Sequence, residues 1–110
     1  LNQALRNRFN AVIELSELSE SAIIRMLVER VPDSRPYIDK MLKVYKSIKG
    51  RIKTEELDLV ISPRNLENWA RLARYEGYEL AAEHTIIPIA QNDKDMEKAI
   101  RTLIGMYKWS

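Results

Sequence analysis

An all-α fold, a small helical bundle preceded by one short strand, is what this sequence predicts, and three observations carry that reading. Helix formers dominate the chain, while its 110 residues hold only 3 Gly and 4 Pro, so few positions interrupt a helix. Apolar residues recur with the spacing of a helix that buries one face in several successive segments. Residues suited to capping, Ser19, Ser62 and Asp93, stand immediately before three of those segments. With 45% hydrophobic and 31% charged residues, the composition is that of a folded globular chain, and its length suits one core.

The elements follow in order. Ala11-Val12-Ile13-Glu14-Leu15 is β-branched and alternates apolar with polar, which reads as a strand. Alone it would leave its hydrogen bonds unmet, so its sheet partners are expected in a preceding part of a longer polypeptide. Ser19 caps a helix from about Glu20 to Val31, whose Ile23, Ile24, Leu27, Val28 and Val31 face the core; Pro32 closes it. Asp33 or Ser34 caps the next helix, with Pro36 in its first turn and Ile38, Met41, Leu42, Tyr45, Ile48 and Ile52 on one face. The junction from Thr54 to Ile61 is apolar enough at Leu57, Leu59, Val60 and Ile61 to be packed. Ser62 then precedes Pro63 at the first helical position, and Leu66, Trp69, Ala70, Leu72 and Ala73 give the inner side of a helix that Gly77 ends. A helix from about Tyr78 to Ile87 stops near Pro88, and a last one runs from Asn92 or Asp93 through Met96, Ile100, Leu103, Ile104 and Tyr107.

Composition removes several function classes. With 0 Cys and 1 His, the sequence has no disulfide framework, no thiolate chemistry and no zinc-type ligand set, and a reducing, cytoplasmic setting is expected. No apolar run approaches the ~18–20 residues of a membrane span, so a membrane is not an expected partner. The glycines are isolated and none opens a phosphate-binding loop. His84, next to Ala81, Ala82 and Ile86, reads as a packed or half-exposed histidine rather than a ligand or base.

Two features remain open on local physics. Lys40, Lys43, Lys46, Lys49, Arg51 and Lys53 make one face of the Arg35–Lys53 helix basic. That face is either solvated or a polyanion surface, and the lack of interleaved aromatics favours the first. Arg64 lies in the first turn of its helix, where a cation opposes the macrodipole. Either it reaches a phosphate or carboxylate supplied from elsewhere, or it pairs with Glu67 at i+3.

Ser62-Pro63-Arg64-Asn65-Leu66 at the head of a helix, following Asn2-Gln3-Ala4-Leu5-Arg6-Asn7-Arg8-Phe9, resembles the end of an AAA+ ATPase. The likeness is to the last core segment with its arginine-finger box, then to the helical lid with its sensor-2 arginine. Ala81-Ala82-Glu83-His84 through Pro88 to Asn92-Asp93-Lys94-Asp95-Met96 and Ala99-Ile100 is similar to the C-terminal part of MoxR-type ATPases, in the branch that activates nitric-oxide reductase and rubisco. The resemblance implies that residues 1–18 end the AAA+ core, with Val12 to Leu15 its last strand, and that residues 19–110 form the lid domain. It implies that Arg64 is the sensor-2 arginine, a catalytic residue that binds the γ-phosphate of ATP. Arg8 would be the arginine finger offered to a neighbouring subunit, with Arg6 the other candidate.

ATP and Mg²⁺ would be cofactors of the full-length protein, a ring, by likeness a hexamer, that remodels or matures a partner protein. A von Willebrand A domain protein is the kind of partner the likeness implies. The Walker A and Walker B segments would lie upstream, so this chain alone is expected to be inactive. Two other readings stand beside this one: a nucleic-acid-binding module using the basic helix, and a protein-interaction bundle. In the second, Trp69 or Trp109 is the anchor for a partner, and Trp109 is otherwise part of the core.

Overall fold

The structure, a computed structural model, describes residues 18–110. The expected strand at Ala11 to Leu15, and Arg6 and Arg8, lie outside the described residues. Among the described residues the chain is helical throughout, with five α-helices, two 3₁₀ turns and no strand.

Helix α1 spans Glu20–Arg30 and opens as its sequence predicts, the Ser19 hydroxyl accepting the Ala22 N–H at 3.2 Å. Its buried stripe is Ile23, Leu27 and Val31, at i, i+4 and i+8. Ile24 belongs off that stripe and is 38% exposed, because a residue one step from Ile23 is turned about 100° around the axis.

Pro32–Tyr37 then forms a 3₁₀ turn, and α2 begins only at Ile38 and runs to Thr54. The capping role expected of Asp33 or Ser34 is therefore corrected. Pro36 disfavours α geometry at Arg35, which delays the regular helix. Ser34 is buried and donates its hydroxyl to the Val31 carbonyl at 2.6 Å, finishing α1 instead of starting α2. Helix α2 buries Ile38, Met41, Leu42, Val44, Tyr45 and Ile48.

In the connection to the next helix the side chains alternate between packed and exposed from Leu57 to Ile61. Leu57 and Leu59 are half-buried and Ile61 is buried, whereas Val60 faces solvent at 75% exposure, against the expectation that it packs.

Helix α3, Pro63–Glu76, buries Pro63, Leu66, Trp69, Ala70 and Ala73. Gly77 ends it at φ +84° and ψ 161°, a conformation open essentially to glycine alone. That bend starts α4, Tyr78–Thr85, at once and turns it back along α3. A 3₁₀ turn at Ile87–Ala90 replaces the expected end of this helix, and α5 spans Lys94–Gly105 with the Asp93 carboxylate accepting the Met96 N–H at 3.0 Å.

Helix α1 packs on α2 and α3, α2 on α5, and α4 on α3 and α5. Trp69 is fully buried where these helices meet and donates its indole N–H to the Tyr78 carbonyl at 2.8 Å. Trp109 closes the same cluster: it is 7% exposed, donates to the Ile104 carbonyl at 2.9 Å and lies 5.3 Å from Trp69. The open question at Trp109 is thus answered in favour of the core.

Candidate functional site

The candidate site is the N-terminus of α3. Its opening is built by Asn65, whose side-chain carbonyl accepts from the Ser62 backbone N–H at 2.8 Å and from the Ser62 hydroxyl at 3.2 Å. Pro63 follows at the first helical position, buried and without an N–H to satisfy. These two residues fix the start of the helix, and Arg64 is the next residue along.

Arg64 is exposed and makes no hydrogen bond or ion pair with any described residue. The pairing with Glu67 that its i+3 spacing offers does not form. Glu67 is engaged elsewhere: Oε1 accepts from Arg30 on α1 at 2.8 Å, and Oε2 accepts from Arg71 at 2.7 and 2.9 Å. Its side chain is only 13% exposed, and the Arg71 hydrogen bond, joined by Arg30 and opposed by desolvation, holds its carboxyl below the ordinary value of 4.5. With Glu67 taken by two guanidinium groups, little of its charge is left for a third.

The electrostatics of this turn differ from those of the other helices. Each of α1, α2, α4 and α5 carries an acidic residue in its first turn, namely Glu20, Asp39, Glu79, and Asp95 with Glu97. Helix α3 carries none. Its positive dipole end therefore coincides with an unpaired guanidinium, an arrangement that favours an anion supplied from outside.

The basic face of α2 is mostly spoken for. Lys43 pairs with Asp39 at 3.2 Å, Lys46 with Glu20 at 3.3 Å and Arg51 with Glu55 at 2.8 Å, and the Lys40 ammonium donates to the Lys108 carbonyl. Lys49 sits 5.6 Å from the centre of the Tyr45 ring. These pairs are exposed and weakly held, as on a solvated helix face.

His84 is exposed, and its Nδ1 lies 2.8 Å from Glu76 Oε1, linking the end of α4 to the end of α3. Among the described residues no three His, Asp or Glu side chains gather as a metal-binding group, and no helix is long and apolar enough to cross a membrane.

Arg64 and its helix start are legible in the sequence, but the partners that draw Glu67 away from it are not. The Glu67–Arg71 spacing of four was a readable signal. Nothing local announces Arg30, which lies 37 residues before Glu67 in the chain. The chain matches no protein-family model, no curated protein and no solved structure at a significant level.

Proposed function

We propose that this chain is the lid region of a MoxR-type AAA+ ATPase, in which Arg64 binds the terminal phosphate of ATP held by an upstream core. The observation that carries this reading is the unpaired Arg64 in the one acid-free helix start among the five described α-helices. Guanidinium donors match phosphate oxygens in geometry and charge, and the helix N-terminus adds its own positive end. Arg30, Glu67 and Arg71 tie α1 to α3 beside this point, so a pull on Arg64 is passed to two helices at once.

In this reading ATP and Mg²⁺ belong to the full-length protein, with the metal ligands on the upstream core. The same resemblance supplies a homo-oligomeric ring, a hexamer by likeness, with Arg8 as the finger reaching a neighbour's nucleotide and a von Willebrand A domain protein as partner. The test is ATP turnover by the full-length protein. Arg64→Ala and Arg8→Ala should each remove most of it, an arginine finger being typically worth ~10³–10⁵ in rate. Unchanged turnover in both variants removes the assignment.

A further inference from the structure

A second surface carries chemistry that the phosphate reading does not use. Where the first 3₁₀ turn meets the junction of α3 and α4, Asp33, Tyr37, Arg74, Tyr75, Tyr78 and Trp109 line an open cleft of about 360 Å³. Its wall is a row of rings: Tyr37 and Tyr78 lie 4.4 Å apart at 30°, and Tyr78 stacks on Trp109 at 5.5 Å and 13°. Tyr75 is 84% exposed, the highest value among the exposed large hydrophobic side chains described. The charged groups lining the cleft are Asp33 and Arg74, with Arg74 Nε 3.1 Å from Asp33 Oδ2.

Three features select a ligand for this cleft. The Asp33 carboxylate already forms an ion pair with a guanidinium, so one fits beside it. That internal pair is exposed, at 70% for Asp33 and 49% for Arg74, and exposed pairs are weakly held and readily exchanged. The field of Asp33 also reaches the aromatic wall: burial first, then Tyr37 and Asp33, pushes the Tyr78 phenol up to about 12. Tyr78 itself is only 8% exposed, packed by Tyr37 and Trp109, so the ring of the wall that a cation can lie against is the half-buried Tyr37, which lines the cleft together with the Asp33 carboxylate.

We infer that this cleft binds an arginine side chain of a partner polypeptide, whose guanidinium replaces that of Arg74 on Asp33 and lies against the aromatic wall. Arginine fits better than lysine because its plane stacks on rings while its edge bonds a carboxylate. The exposed Tyr75 at the rim gives the flanking peptide a surface on which to rest. The inference is independent of the nucleotide reading.

The experiment is an NMR titration of the chain with acetyl-Gly-Arg-Gly-amide, following the Trp109 indole N–H. A saturable shift is expected, and the neutral citrulline analogue should bind about tenfold more weakly, the scale of one lost charge-assisted hydrogen bond. Asp33→Asn should lose binding by a similar factor. Arg74→Ala should bind about two- to fivefold more tightly, because the competing exposed pair is gone, a gain that no folding defect imitates. An unsaturated response, equal binding of the citrulline or lysine peptide, or unchanged binding by Asp33→Asn overturns the inference.

Discussion

Arg30 and Glu67 join α1 to α3 through a 2.8 Å hydrogen bond between groups 37 residues apart in the chain. Arg71 takes the other carboxylate oxygen. One acidic group thus holds two arginines, and Arg64, three residues before it, has no partner among the described residues.

Replacing Glu67 tests that tie. Glu67→Gln should destabilise the fold by about 1–2 kcal/mol at pH 7, between the worth of an exposed pair and that of a charge-assisted bond. The Glu67 carboxyl is lowered below its ordinary 4.5 in the folded state, so its contribution is complete above that value and fades as pH falls through the folded value. Urea unfolding should accordingly show the gap between wild type and Glu67→Gln closing in acid.

Trp109 is a core residue one position from the end of the sequence. Trp109→Ala removes its stack on Tyr78 and its contact with Trp69 and should cost about 3–5 kcal/mol. Deleting residues 106–110 should lower the thermal midpoint in the same way, whereas an unchanged midpoint would show that the core closes without this ring.

Gly77 isolates a backbone effect. A Cβ built there meets nothing within 4 Å, so only its positive φ resists a side chain. Gly77→Ala should therefore destabilise by about 1–3 kcal/mol. A D-alanine placed there, which prefers positive φ, should be tolerated in a stability measurement.

Tyr45 carries an unmet polar group, its hydroxyl being buried without a hydrogen-bond partner among the described residues. Leaving such a group unpaired is costly, so Tyr45→Phe should be neutral or stabilising by up to about 1 kcal/mol in denaturant unfolding.

Much of the fold was legible because short-range signals agreed with one another. Ser19 and Asp93 cap where their spacing says, and Pro63 and Gly77 bound α3 as their backbone preferences require. The departures arise where tertiary contacts or chain geometry override those signals. Ser34 is drawn to the end of α1, Ile24 falls outside a stripe that its neighbours complete, and Val60 faces outward between the packed Leu59 and Ile61. At the candidate site the sequence marked Arg64, but its isolation depends on Arg30 arriving from another helix. The aromatic cleft was invisible for the same reason, since Tyr37, Tyr78 and Trp109 come from three separate stretches.

The proposed recognition of a terminal phosphate by Arg64 is read out by the nucleotide affinity of the full-length protein. With Arg64→Ala, affinity for a non-hydrolysable ATP analogue should fall about tenfold or more while affinity for ADP stays nearly unchanged, since the lost charge-assisted bonds go to the γ-phosphate. Equal losses for both nucleotides, or no loss for either, would show that Arg64 does not recognise the γ-phosphate.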